Sequence, residues 1–143
     1  MGKRILVPVD GSDGAAHACE FAAEEFPDAT LVLLHVINPA EAGYSAQASV
    51  PSFSEQWYEQ QERTAEELFD KLDETIRAAG GGETEHALEV GRPTKTIVDY
   101  AEDNDIDHIV MGSHGRSGVS RILLGSVAEI VVRRATVPVT VVR

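Results

Sequence analysis

The sequence of 143 residues predicts an α/β fold, a doubly wound sheet of five parallel strands with helices on both faces. Short apolar runs alternate with segments of helical periodicity, in the order β-α-β-α-β-α-β-α-β. Alternation at this spacing gives parallel strands joined by right-handed crossovers, here in the strand order 3-2-1-4-5. No fixed-period repeat and no linker interrupts the pattern, so residues 1–143 are expected to form one domain.

Each predicted strand is a run of apolar residues bounded by turn residues. The runs lie at residues 5–9, 30–37, 84–90, 107–111 and 137–142. The first run ends at Asp10-Gly11-Ser12 and the second at Asn38-Pro39, both of which favour turns. The third run alternates apolar and polar residues, which predicts a strand with one exposed face.

Each predicted helix has apolar residues at helical spacing. The helices cover about residues 13–26, 55–79, 93–101 and 120–135. Ser12 or Asp13 can cap the first helix, and Pro93 suits the first position of the third. The glycines at 80–82 end the second helix. Residues 38–54 predict a long irregular segment, of the kind that is functional or mobile in compact domains.

The charge excludes several classes of partner. A net charge of −12, from 24 acidic and 12 basic residues, disfavours binding to nucleic acid or to an anionic membrane. No apolar run approaches the ~18–20 residues of a membrane span. Cys19 is the single cysteine, and no signal-peptide pattern opens the chain, so we expect a cytoplasmic protein. The acidic, lysine-poor composition also suits a salt-rich cytoplasm, and we expect a halophilic source.

The charge is distributed unevenly along the chain. Residues 112–143 contain five arginines and one acid, which gives them a net charge of +4 and leaves −16 for residues 1–111. Arg133 and Arg134 suit the negative end of a helix dipole. Arg116 and Arg121 are candidates for contact with a phosphate.

A spaced set of glycines, Gly112-x2-Gly115-x9-Gly125-Ser126, follows the fourth predicted strand. Such a turn lets the backbone approach a phosphate, and the start of a helix adds N–H donors. Gly125 has two interpretations, because glycine inside a helix costs about 0.5–1 kcal/mol relative to alanine. Either it allows close packing of the helix on the sheet, or it begins the helix proper, so that free N–H groups and the Ser126 hydroxyl hold a phosphate. The set contains neither the lysine of a P-loop nor a dinucleotide-binding fingerprint.

In a sheet of this order, the switch point lies between strands 1 and 4, and ligands bind at their carboxyl ends. Asp10 is therefore expected opposite the glycine set. It can accept a hydrogen bond from a ribose or a base, help to ligate a divalent cation, or serve the turn alone. His114 can donate to a phosphate or face solvent, and His35 suits a core histidine with a satisfied ring. Trp57 and Tyr58 are expected to pack the long helix rather than to recognise a base.

Five segments resemble the universal stress protein family: Ile5-Leu6-Val7-Pro8-Val9-Asp10-Gly11-Ser12, Leu33-Leu34-His35-Val36, Met111-Gly112-Ser113-His114-Gly115-Arg116, Leu124-Gly125-Ser126-Val127-Ala128 and Val137-Pro138-Val139. The resemblance covers essentially the whole chain, and the glycine spacing matches the ATP-binding members. It implies a Rossmann-like domain, similar to the adenine nucleotide alpha hydrolases, that binds ATP or another adenine nucleotide with or without Mg²⁺. The residues it implies at the site are Pro8, Val9 and Asp10 after strand 1, Val36 at the adenine, Met111, Gly112, Ser113, His114, Gly115 and Arg116 at the ribose and phosphates, and Gly125, Ser126, Val127 and Ala128 at the phosphates.

The resemblance also implies a homodimer that pairs through the last strand, at residues 137–142, an apolar edge that would favour aggregation if left bare. The function expected first is an ATP-binding switch or binding module of the stress response. A slow ATPase or a nucleotidyl or phosphoryl transferase is the alternative, although the sequence offers no P-loop lysine and no evident general base for a γ-phosphate. A nucleotide-free interaction protein is a third possibility, which the intact glycine set disfavours.

Overall fold

The computed structural model describes residues 2–40, 51–113 and 124–143. Within these ranges the elements follow one another in the predicted order. They are β1 (Arg4–Pro8), α1 (Asp13–Glu25), β2 (Thr30–Ile37), α2 (Pro51–Ala78), β3 (Thr84–Val90), α3 (Pro93–Asp103), β4 (His108–Gly112), α4 (Ser126–Arg134) and β5 (Val139–Val142).

The five strands form one parallel sheet in the order β3-β2-β1-β4-β5, as predicted. β1 lies at the centre, where Ile5 pairs with Leu31 of β2 on one side and with His108 of β4 on the other. β3 and β5 are the two edges of the sheet. Because every strand is parallel, the carboxyl ends of β1, β2 and β4 meet at one end of the sheet.

Each face of the sheet is covered by two helices. Ile5 and Val7 of β1 belong to a buried cluster that includes residues of α1 and α2, such as Ala18 and Leu72. Leu6, between them, belongs to a second cluster with residues of α3 and α4. This alternation follows from the two-residue period of a strand, and burying one such side chain contributes about 1.5–3 kcal/mol. The doubly wound fold class is therefore confirmed.

Two helices begin elsewhere than predicted. α2 begins at Pro51, four residues before the expected start, so the prediction of an irregular segment is wrong for residues 51–54, and also for residues 39–40, which are helical. Proline suits this position because the first helical N–H has no partner inside the helix. α4 begins at Ser126 rather than at 120, since Leu124 and Gly125 are not helical. Residues 41–50 and 114–123 lie outside the described residues.

The two edge strands also depart from expectation. β5 begins at Val139 rather than at 137, after Pro138, which has no N–H to donate. β3 does not alternate strictly in burial, because both of its faces reach solvent at the edge of the sheet. Within the described ranges, no helix combines the length and the hydropathy that crossing a membrane requires.

Candidate functional site

The β1–α1 turn and the end of β4 are in direct backbone contact through two glycines. A Cβ atom built on Gly112 would lie 2.9 Å from the carbonyl carbon and oxygen of Gly14. A side chain at position 112 would therefore separate the first turn of α1 from the end of β4. The family resemblance places Gly112 among the residues at the ribose and phosphates, and Gly14 was not predicted as its neighbour, although a glycine in the first turn of a helix is a signal for close approach.

Asp10 and Ser12 form a hydrogen-bonded network that caps α1. Ser12 is the N-cap, and its Oγ accepts a hydrogen bond from the backbone N–H of Ala15 at 3.2 Å. Asp10 Oδ1 accepts from the Ser12 backbone N–H at 2.9 Å and from the Ser12 hydroxyl. The turn role considered for Asp10 is thus present in the structure. Its second oxygen, Oδ2, makes no hydrogen bond to another described residue.

The chain leaves β4 at Ser113 and returns at Gly125, and these two residues are hydrogen bonded. The Gly125 N–H donates to the Ser113 carbonyl at 2.7 Å, and the Ser113 N–H donates to the Val142 carbonyl of β5 at 2.9 Å. These bonds fix the start of α4 beside the ends of β4 and β5. They also engage the N–H of Gly125 with the Ser113 carbonyl.

Among the described residues, no side chain caps the N-terminus of α4. Gly125 is an extended N-cap residue, with φ −67° and ψ 157°, and no side chain caps it. The first described hydrogen bond of the helix runs from the Glu129 N–H to the Gly125 carbonyl at 3.0 Å. The N–H groups of Ser126, Val127 and Ala128 precede that bond. The interpretation that Gly125 begins the helix proper is confirmed, and three backbone donors lie at the positive end of the helix dipole.

The last turn of α4 carries the two arginines expected to complement the dipole, Arg133 and Arg134. Arg133 also forms an ion pair of 2.9 Å with Glu129, an exposed acid in the first turn of the same helix. This pair offsets part of the negative charge that Glu129 places near the open N-terminus.

The remaining predicted site residues have varied surroundings. Val9 and Met111 are buried, at 6% and 5% exposure, while Pro8 and Val36 are half-buried. Four residues expected near a phosphate lie outside the described residues: His114, Gly115, Arg116 and Arg121. On α2, Trp57 is half-buried, but Tyr58 is 37% exposed rather than packed, so the packing expected for Tyr58 is wrong.

The backbone of Val36 faces the gap beyond the end of β1. The Val9 N–H donates to the Leu34 carbonyl at 2.8 Å, so even-numbered residues of β2 direct their N–H and C=O groups towards β1. β1 ends at Pro8, whose partner is Leu34. Two residues further along β2, the groups of Val36 therefore point to a region where no strand continues.

A cleft that the sequence analysis missed lies beside this region. It has a volume of about 260 Å³ and is bounded by Gly11, by His35 and Val36 of β2, and by α2. From α2 it is lined by Gln61, Thr64, Glu67, Leu68 and Lys71. The three- and four-residue spacing of positions 61, 64, 68 and 71 puts them on one face of the helix. This spacing is the feature of the sequence that could have predicted the wall of the cleft.

Burial shifts the pKa values of two titratable groups outside the site. Burial raises the pKa of the Cys19 thiol to about 12, so this residue is a protonated core side chain at neutral pH. Burial also lowers the pKa of His108, whose Nε2 lies 2.8 Å from the Thr140 hydroxyl. Among the described residues, no group of three or more His, Cys, Asp or Glu side chains could hold a metal ion.

Solved structures with nucleotides resemble this fold. A universal stress protein from Archaeoglobus fulgidus in complex with dAMP is 27% identical, with a TM-score of 0.70 and coverage of 99% of this chain and 98% of that one. A universal stress protein in complex with cAMP is 25% identical, with a TM-score of 0.69 and coverage of 99% and 97%. Both ligands are adenine nucleotides.

The relationship extends over the whole sequence. A universal stress protein of Methanocaldococcus jannaschii is 37% identical over 145 residues, which cover 99% of this chain and 82% of the relative. The solved structure of a universal stress protein from Lactobacillus plantarum is 30% identical, with a TM-score of 0.81 and coverage of 99% and 97%. The family model of universal stress proteins matches residues 1–143. The chain belongs to the universal stress protein family.

Proposed function

We propose that the protein binds ATP, or another adenine nucleotide, across the carboxyl ends of β1 and β4. The observation that carries the proposal is the open N-terminus of α4, where three backbone N–H groups have no capping side chain. An uncapped helix start is a site for anions, since the donors and the dipole both favour negative charge. Residues 112–143 carry a net charge of +4 in a chain of net charge −12, so this part of the sequence is the one more compatible with an anionic ligand.

The proposal assigns each part of the nucleotide to residues of this chain. The N–H groups of Ser126, Val127 and Ala128 hold phosphate oxygens, with the Ser126 hydroxyl. Asp10 Oδ2 accepts from a ribose hydroxyl or helps to ligate phosphate-bound Mg²⁺. The backbone of Val36, which faces the gap beyond β1, meets the adenine. His114, Gly115 and Arg116, which lie outside the described residues, complete the phosphate site as the family resemblance implies.

We assign the site to holding a nucleotide rather than cutting it. The sequence has no P-loop lysine, and Asp10 is the carboxylate at the junction of the two turns. A bound nucleotide that stabilises one conformation changes the affinity for a partner protein in proportion to its preference for that conformation. The proposed role is therefore a nucleotide-dependent switch of the stress response, in a cytoplasm whose salt screens the acidic surface.

One experiment tests this function. The protein is purified at high salt without added nucleotide and denatured, and any released nucleotide is identified by mass. Calorimetry then measures the Kd for ATP, and product analysis measures turnover. We expect stoichiometric ATP binding with negligible turnover. Absence of both a retained nucleotide and any binding at millimolar ATP would overturn the proposal, whereas turnover lost in Asp10→Asn would favour the ATPase alternative.

We also propose a homodimer that pairs through β5, because the two edges of the sheet differ in charge. β3 carries the exposed ionisable residues Glu85, His86 and Glu89. β5 carries none, its four side chains are half-buried, and Val132 of the neighbouring α4 is 48% exposed. Charged side chains protect an edge strand from pairing, and an uncharged edge invites it.

Two proline variants separate these edges. The Pro138 and Val142 carbonyls accept from β4, so Val141 directs its N–H away from the sheet, and by the same alternation Val90 directs its N–H away from β3. In a two-fold dimer, Val141→Pro removes two hydrogen bonds of about 0.5–1.5 kcal/mol each, a loss of roughly 5- to 150-fold in dimer affinity. Analytical sedimentation should detect this loss of dimer affinity, whereas Val90→Pro should leave the dimer affinity unchanged. Equal behaviour of the two variants would contradict pairing through β5.

A further inference from the structure

The imidazole of His35 is held in one tautomer by the backbone of β1. Its Nδ1 lies 2.9 Å from the carbonyl oxygen of Val9. Because a carbonyl oxygen only accepts, Nδ1 is the donor, and Nε2 of the neutral ring is an acceptor. Nε2 makes no hydrogen bond to another described residue, and the half-buried ring lines the cleft beside α2.

This contact also changes what the neighbouring backbone can do. In a parallel ladder that continued past β1, the Val9 carbonyl would accept from the N–H of Val36, two residues beyond Leu34. Here the Val9 carbonyl accepts from His35 Nδ1 instead. The side chain of His35 thus takes the place of a ladder hydrogen bond at the point where β1 ends. The N–H of Val36 is left directed at the gap, and His35 and Val36 both border the cleft.

The cleft suits one planar ring system. Its volume of about 260 Å³ is below the range of about 300–1,000 Å³ typical of sites for drug-sized ligands. Leu68 supplies an apolar contact, and Gln61 and Thr64 supply polar groups at the α2 wall, while the Val36 side chain packs on the opposite face of the sheet. Glu67 and Lys71, of opposite charge, line it as well.

We propose that His35 makes this cleft selective for a 6-aminopurine. The Val36 N–H donates to N1 of the base, and His35 Nε2 accepts from the exocyclic amino group. A 6-oxopurine presents a donor at N1 and an acceptor at position 6, so both contacts become mismatched. A site that leaves its polar groups unpaired with the wrong ligand discriminates strongly against that ligand. This inference rests on the proposed nucleotide site and adds the residue that reads the base.

The test compares ATP with inosine triphosphate, which differs in the 6-substituent and in the protonation of N1. Calorimetry on the wild-type protein should give a Kd for ATP at least about tenfold lower than that for inosine triphosphate. His35→Phe should bring the ratio of the two Kd values to within about threefold of unity, mainly by raising the Kd for ATP. His35→Gln, whose amide both donates and accepts, should retain more of the selectivity. His17→Phe, the same change at an exposed position of α1, is the matched control and should leave the ratio unchanged.

A second readout needs no variant. The ¹⁵N resonance of His35 Nε2 should shift when ATP binds and not when inosine triphosphate binds. Equal wild-type affinities for the two triphosphates, or an unchanged ratio in a folded His35→Phe protein, would overturn the role of His35 and leave the nucleotide site intact. Failure of the wild-type protein to bind either triphosphate would instead overturn the proposed function together with this inference.

Discussion

The helices α1 and α4 both begin at the carboxyl end of the sheet, after β1 and β4, yet their N-termini are built differently. Ser12 caps α1 through the Ala15 N–H, and Asp13 places a negative charge in the first turn. α4 begins at Gly125 without a side-chain cap. Its first acid, Glu129, is paired with Arg133 at 2.9 Å.

The difference shows how one physical property serves two purposes. Both helix starts have unpaired N–H groups and a positive dipole end. In α1 the chain satisfies them with its own side chains, which fixes the β1–α1 turn and leaves little attraction for another anion. In α4 a glycine leaves the donors open, which lowers the stability of the isolated helix and, in the proposed function, provides a place for phosphate. Changing one terminus to resemble the other tests this interpretation.

The largest effect is expected from Gly125→Asp, which gives α4 the type of acidic cap found in α1. Gly125 has an extended backbone that aspartate adopts, so its carboxylate can accept from the first-turn N–H groups. Losing two phosphate hydrogen bonds of about 1.5–3 kcal/mol each should lower the affinity for ATP by at least about 100-fold. Calorimetry measures the loss, and urea unfolding should show stability unchanged or increased.

The matched control is Gly125→Asn, which caps without a charge. It should lower the affinity for ATP less than Gly125→Asp does, because the asparagine side chain competes for the backbone N–H groups without repelling the phosphate. If the aspartate variant bound ATP as tightly as the wild-type protein, the phosphates would not lie at the start of α4.

A second effect concerns the contact that holds the two termini together. Gly112→Ala places a Cβ atom 2.9 Å from the backbone of Gly14, so α1 or β4 has to move. The expected loss in the free energy of unfolding is about 1–3 kcal/mol, measured by urea denaturation. Gly11→Ala is the control, since its Cβ would meet nothing within 4 Å, and it should be neutral or slightly stabilising. Equal stability of the two variants would mean that the Gly14–Gly112 contact is not required.

A third pair of variants makes the same substitution at both termini. Ser12→Ala removes the cap of α1 and should lower the free energy of unfolding by about 0.5–2 kcal/mol, with ATP affinity changed less than about threefold. Ser126→Ala removes a hydroxyl that caps nothing, so stability should hold while ATP weakens by roughly 2- to 12-fold. Unfolding curves and titrations on both proteins distinguish these outcomes. If Ser12→Ala weakened ATP binding and Ser126→Ala lowered the free energy of unfolding, the roles given to the two helix starts would be wrong.

The smallest effect is expected from Glu129→Gln, which removes the acid in the first turn of α4. A charge near a helix terminus contributes about 0.3–1 kcal/mol at low ionic strength, so ATP should bind about two- to fivefold more tightly. Because Glu129 is exposed and paired with Arg133, the gain should vanish at high salt. A gain that persisted in high salt would indicate a contact other than the helix dipole.

Local sequence predicted most of the architecture. The apolar run of β2 matches the strand Thr30–Ile37, and Pro93 marks the first position of α3. Ser12 or Asp13 was expected to cap α1, and Ser12 does so. Such features depend on propensities, periodicity and capping, which act over a few residues. The starts of α2 and α4 were misplaced because a low-complexity segment and an apolar one hide a helix boundary from periodicity alone.

The glycine set also illustrates the division between local and long-range information. From the sequence, a helix start at Gly125 was one of two interpretations, and the extended N-cap confirms it. It could not distinguish Gly112, which lies against Gly14, from a glycine that contacts a ligand. It also did not reveal that the Gly125 N–H is engaged by Ser113.

The sequence by itself therefore determined the fold class, the strand order and the end of the sheet where a ligand would bind. Tertiary structure alone decided which polar groups at that end are already paired and which are open. The Val9 carbonyl is occupied by His35, 26 residues away, while Asp10 Oδ1 is occupied within its own turn. Partners so distant in sequence come together only when parallel strands align, because the ladder fixes which backbone groups face each other.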